Sequence, residues 1–319
     1  MKNFLWIGWL IFCLAAGCHA QNYPLRPVRL ITPFAAGGDT DIVARILAQK
    51  LAESFGHSVV VDNRSGSNGI LGTEMTAKSP RDGHTILMIS TGLVINPILY
   101  RNLPYDALRD FTPISLIATA PHMLAAHPSV PVKTVKELIA YAKANPDKLS
   151  YSSGGSGASS HLSGAMFNVM AGTRMLHVPF RGSGPAALAA VGGEVSLIFQ
   201  GVLASLPHVK SARLNGLATT GARRLAVVSD LPTIAEAGLP GFESGGWFGV
   251  LAPTGIPKEI LERLNGELVR ITRQSPVREK LTAQGSDVIG SSPEQFAEFI
   301  RMEITRWGKV IKDANIRID

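Results

Sequence analysis

Residues 28–56 read VRLITPFAAGGDTDIVARILAQKLAESFG, and three kinds of local chemistry succeed one another in them. Val28-Arg29-Leu30-Ile31 is a short run rich in branched residues that stops at Pro33, as a strand does. From about Thr40 to Phe55 the apolar residues Ile42, Val43, Ile46, Leu47, Leu51 and Phe55 recur at helical spacing. Arg45, Gln49, Lys50 and Glu53 take the opposite face, and Gly56 closes the helix. Between strand and helix lies a loop, Pro33 to Asp41, where Gly37-Gly38 turns the chain and Asp39 or Thr40 caps the helix. Such a loop is either a capped turn and nothing more or a place where backbone amides face a ligand. An exposed Pro33-Phe34 beside two glycines favours the second.

The unit decides the fold because it recurs. Ser58–Val61, Thr85–Ile89, Leu149–Ser152, Met175–Val178, Val195–Phe199 and Leu217–Thr219 read as further strands. Amphipathic helices such as Val135–Ala144 and Ile260–Ser275 alternate with them. This is the α/β pattern of mostly parallel sheets covered on both faces. The 319 residues exceed one ordinary domain, and 45% of them are hydrophobic, enough for two cores. Breakers at Pro121, Pro128 and Pro131 and the glycine-rich stretch 238–246 mark crossings, giving one lobe of residues 22–121 plus 246–319 and another of 122–245. Two hinge strands suit rigid-body closure.

Three more loops lie at strand ends before helices, where ligands of open α/β sheets bind and helix N-termini receive anions. Ser152 to His161 offers Ser153, Gly154, Gly155, Ser156 and Ser160. Gly154-Gly155-Ser156-Gly157 begins a hydrolase elbow, but Ala158 breaks the G-x-S-x-G spacing and no partner set follows. His161 serves as a cap or as a ligand contact. Phe180 to Ala187 carries G-x-G-x-x-A, but the next strand ends in Gln200 rather than an acid, so a nicotinamide cofactor is not expected. Arg181 either pairs with a ligand carboxylate or is a surface arginine. Thr91-Gly92 closes the set. Trp247-Phe248 is a hydrophobic wall for a ligand or plain core. The histidines are dispersed without a metal-binding spacing, so no metal and no cofactor is expected.

Residues 1–20 form a leader: Lys2, an apolar run from Phe4 to Ala16, then small residues up to Cys18-His19-Ala20. Cleavage after Ala20 frees a periplasmic protein, whereas Leu14-Ala15-Ala16-Gly17-Cys18 is the alternative, a lipid anchor through Cys18. Cys13 and Cys18 are the only cysteines, so the mature chain holds no disulfide. The net charge of +7 is not clustered, which argues against nucleic acid.

The chain resembles the Bug-type solute receptors of tripartite tricarboxylate transporters. The resemblance is carried by residues 33–41 and by Val61-Asp62-Asn63-Arg64, Pro80-Arg81-Asp82-Gly83, Ile95-Asn96-Pro97 and Leu103-Pro104-Tyr105-Asp106. His161-Leu162-Ser163-Gly164, residues 177–182, residues 231–238 and Trp247 to Pro253 continue it to the C-terminal part. It implies a two-lobed periplasmic-binding-protein-like fold (type II), with two mixed sheets flanked by helices and joined by two crossover strands. It also implies a monomeric receptor, not an enzyme, that delivers an organic anion to a membrane permease of two subunits. One ligand carboxylate would lie between Phe34–Thr40, including Ala36, Gly37 and Gly38, and the serine-rich loop. Where many relatives carry Asp-Asn, this chain has Gln200-Gly201, which favours a dicarboxylate or an aromatic acid over an amino acid. A ligand sensor feeding a signalling partner is the alternative; a hydrolase built on Ser156 is not expected.

Overall fold

The computed structural model describes residues 23–313 and 316, apart from Gln284. The expected leader, with Cys13 and Cys18, lies outside the described residues. Strands β1 (Val28–Thr32), β2 (Val59–Asn63) and β3 (Thr85–Ile89) run parallel in the order β2-β1-β3. Helices α1 (Asp39–Phe55) and α2 (Ile70–Ala77) connect them, and α3 (Gly92–Leu99) follows. The chain then enters β4 (Phe111–Ala126), a strand of 16 residues.

Beyond β4 come α4 (Val135–Ala144), β5 (Ser150–Ser153), α5 (Ser159–Ala171), β6 (Leu176–Pro179) and α6 (Ser183–Val191). β7 (Leu197–Gly201), α7 (Val202–Lys210) and β8 (Asn215–Thr219) complete the second sheet. The return brings β9 (Gly245–Pro253), α8 (Lys258–Arg273), α9 (Ser275–Thr282), β10 (Asp287–Val288) and α10 (Pro293–Asp313).

β4 belongs to both sheets. From Phe111 to Pro121 it pairs antiparallel with β9, and from His122 onward with β7 and β8. Pro121, expected to mark a break, therefore sits inside a strand, at the point where β4 exchanges one set of neighbours for another. A residue without an N–H is tolerated there because the ladder is interrupted anyway. The expectation of mostly parallel sheets holds only within β1–β3 and β5–β7. A chain that crosses out on β4 and returns on β9 makes those two strands antiparallel, and the sheets are mixed.

Each sheet is covered on both faces, and the two-residue period of its strands decides what meets what. Leu30, Ile86, Met88 and Val250 face Val43 and Leu47 of α1 and Leu264 and Leu268 of α8. Their neighbours Ile31, Leu87 and Leu251 face α3 and α10, with Leu93, Phe296 and Trp307. In the second sheet Leu124, Tyr151 and Phe199 pack on α4 and α5, while Met123, Ala125 and Ile198 pack on α6 and α7. No helix among the described residues is long and apolar enough to cross a membrane.

Candidate functional site

The carboxyl ends of β1, β3, β5 and β7 point into one cleft between the sheets. Five helix N-termini meet there: α1 and α3 from the first lobe, α5, α6 and α7 from the second. Among the described residues, none of the five N-cap side chains caps its own helix, so first-turn N–H groups stay available except at α7, where Asp39 takes the Ala204 N–H. Distant α4, by contrast, is capped by Thr134, whose hydroxyl accepts from Glu137 N. α8 starts uncapped too, so the convergence and not the missing cap marks the site. Each start carries about half a positive charge. Among the described residues the lining contains neither Lys nor Arg, and its ionisable residues are Asp39 and His122. Such a pocket attracts an anion through dipoles alone.

Of the residues singled out in the sequence, Phe34, Gly38, Thr40, Thr91, Gly92, Gly154, Ser160 and Gln200 line this pocket. Others do not. Ala36 and Gly37 are exposed, and the Gly37 N–H donates inward to Asp41 Oδ2 at 2.9 Å, so it is not offered to a ligand. Ser153 is fully buried and braces its own loop: its hydroxyl contacts His177 Nε2 at 2.6 Å and accepts from Gly155 N at 3.2 Å. Gly155, Ser156 and Arg181 line a neighbouring outer groove with Phe180. Trp247 is core, packed edge-on against Phe296 and Phe299, while the next residue, Phe248, reaches the pocket.

The helix cap also differs from expectation. Gly38 is the N-cap of α1, and Asp39 is its first helical residue. Asp41 instead organises the loop, accepting from Gly37 N, from Arg45 Nε at 2.9 Å and from Asn63 Nδ2 at 3.0 Å. Burial pushes the Asp41 carboxyl up, but the hydrogen bonds from Arg45, Gly37 and Asn63 outweigh it and hold the group below the usual carboxylate range. Asp39 turns toward the second lobe. Burial pushes its carboxyl up to about 6, against opposing hydrogen bonds from the Ser183 hydroxyl and the Ala204 N–H.

Asn68 and His122, which the sequence does not single out for a ligand, also line the pocket, together with Ser90, Ser159, Ser183, Gly201 and Phe248 from the expected loops and strand ends. His122 is enclosed by hydroxyls: Nδ1 lies 2.8 Å from Ser163 Oγ, which also meets the Ser159 carbonyl at 2.9 Å and Ser244 Oγ at 2.8 Å, and Nε2 lies 3.1 Å from the Ser159 hydroxyl. Burial lowers His122 to about 4, which keeps it neutral. His161 accepts from Gly157 N at 3.1 Å and stacks on His177, which makes it a loop brace.

Comparison with known proteins agrees with this geometry. A family model described as "Tripartite tricarboxylate transporter family receptor" matches residues 43–316. Protein BugT of Bordetella pertussis is 35% identical over 307 residues, covering 96% of this chain and 94% of BugT. The structure of R. palustris Rpa4515 with adipate superposes with a TM-score of 0.90 at 39% identity, over 92% of this chain and 99% of the other. That of MatC from Rhodopseudomonas palustris with bound malate gives 0.86 at 33% identity, over 91% of this chain and all (100%) of the other. The fold is that of periplasmic binding proteins, and the family is one of solute receptors, not enzymes. This chain belongs to the tripartite tricarboxylate transporter receptor family, among the Bug-type solute-binding proteins.

Proposed function

We propose that this protein is an extracytoplasmic receptor that closes two lobes over a small organic carboxylate, a dicarboxylate or an aromatic acid, and delivers it to a tripartite-type permease. The observation that carries the reading is the meeting of five helix N-termini in a pocket lined by no Lys or Arg. Adipate in Rpa4515 and malate in MatC support it, since both are small carboxylates held by proteins of similar sequence and fold. The moving bodies are residues 22–121 plus 246–319 and residues 122–245, swinging about β4 and the Ser244–Gly245 return. The ligand acid sits between the starts of α1, α3 and α5, against Thr40, Thr91, Gly92 and Ser160. An acid bridging both lobes makes contacts that only the closed form offers, and its differential affinity shifts the population. The leader places the receptor in the periplasm.

Calorimetric titration of the chain without residues 1–20, using adipate, malate, benzoate and a set of amino acids, tests the reading. Binding of an acid, with a fall in the radius of gyration on adding it, is expected. Binding confined to amino acids overturns the preference, and binding of none without any change in shape overturns the receptor assignment.

A further inference from the structure

Two polar atoms in the cleft have left water without gaining a partner. Gln200 is 1% exposed and its Nε2 has no acceptor, while Asp39 Oδ1 has no donor. Both residues line the pocket on its α6–α7 side. A buried polar atom that has left water without a partner is costly, more so when charged, so such atoms call for a complement.

The position of Asp39 is unusual for another reason. It rides on the first loop of one lobe yet lies against Gly201 of the other. A Cβ built on Gly201 would stand 2.1 Å from Asp39 Oδ2, so any side chain there evicts the carboxyl. The Ser183 hydroxyl and the Ala204 N–H, at the starts of α6 and α7, face it. The protein has put one of its own acids on the helix starts where the far carboxylate of a ligand would settle.

We infer that Asp39 fills the second anion position of the cleft, so that this receptor takes a monocarboxylate with an uncharged far end, a hydroxyl or a carboxamide, that accepts from Gln200 and donates to Asp39. The inference rests on the carboxylate reading above and, within it, sets aside the dicarboxylate in favour of an acid whose far end is neutral. A diacid sets its second charge beside Asp39 with no cation among the lining residues. Two like charges held together inside a cleft repel more strongly than a single helix start attracts either of them. An ammonium end would pair with Asp39 but leave Gln200 Nε2 without an acceptor. A hydroxyl or amide satisfies both orphaned atoms.

The test is calorimetry at pH 8 with two length-matched series. One is adipate, its monoamide and 6-aminohexanoate; the other is terephthalate, 4-carbamoylbenzoate and 4-(aminomethyl)benzoate. In the series that fits the cleft, the amide is expected to bind at least about tenfold tighter than the diacid or the amine. Asp39→Asn keeps the shape and removes the charge, and should let the diacid gain at least about tenfold on the amide. Gly201→Ala, which displaces the carboxyl without neutralising it, should move the ratio the same way. An amide-to-diacid ratio unchanged in both variants, or an amine that binds tightest, overturns the inference. Failure of the underlying reading looks different: none of the six acids then binds the wild type or either variant.

Discussion

The two glycine-rich loops that face each other across the cleft have similar composition and opposite internal chemistry. The loop of residues 33–41 is braced by one buried carboxylate, Asp41, shared among Gly37, Arg45 and Asn63. The loop of residues 152–161 is braced by neutral atoms: Gly154 N donates to Ser160 Oγ at 3.0 Å, Gly155 N to Ser153 Oγ and Gly157 N to His161 Nδ1. In both, the glycine amides serve the loop, and the helix starts beyond them are left for the ligand. One brace depends on ionisation and the other does not.

Asp41→Ala should show the largest effect of that contrast. It strands Gly37, Asn63 and Arg45 together, and a loss of about 2–4 kcal/mol in urea denaturation is expected, with acid binding weakened at least about tenfold. Because the native Asp41 carboxyl is depressed, its contribution is present above the unfolded value near pH 4 and disappears as pH falls through the native value. Asp39→Asn runs the other way. With a native carboxyl raised to about 6, the wild type binds more protons folded than unfolded between about pH 4 and 6, so it loses stability as pH climbs through that window. The variant escapes the loss. It should be more stable by about 1–3 kcal/mol at pH 8, a gain that vanishes near pH 4, read from denaturation at both values.

Ser153→Ala probes the neutral brace. It removes the contacts to His177 and Gly155 and should cost about 1–2 kcal/mol. The cost should be the same from pH 5 to 8, since burial, with His161 nearby, lowers His177 to about 3. A cost that varied over that range would erase the distinction between the loops. Gly37→Ala is the smallest change. A Cβ there meets open space, but φ is +79°, so a loss of about 1 kcal/mol is expected. Affinity should stay within about twofold, because the N–H still reaches Asp41. A large loss of affinity would return the Gly37 amide to the ligand.

What was legible in the sequence was local. Helix α4 spans the expected Val135–Ala144, and α1 begins one residue before the expected Thr40. β4 is not legible as one strand because Pro121 signals a break, whereas in the fold the strand runs through it and changes neighbours there. Trp247 and Phe248 show how much one residue of phase matters. Both are buried, but adjacent strand residues face opposite sides: Trp247 joins the α3–α10 layer, and Phe248 joins the α1–α8 layer, where it also reaches the pocket. In the sequence Asp39 looks like a cap because its neighbour Gly201 is remote in the chain and no local pattern encodes their meeting. The amides of Gly37, Gly154 and Gly155 look open to a ligand because their acceptors, Asp41, Ser160 and Ser153, meet them only once the loops are folded.

The place of β9 in the first sheet, between β3 and β4, has a consequence for how the molecule assembles. β3 and β4 cannot close their ladder until a segment that follows the entire second sheet has arrived, so the first-lobe sheet is split while the intervening stretch already holds β5, β6, β7 and β8. Those strands should acquire slow amide exchange first during refolding, with β1 and β3 lagging until residues 245–253 dock between β3 and β4. Pulse-labelled exchange that found the two sheets protected at the same time would remove this order.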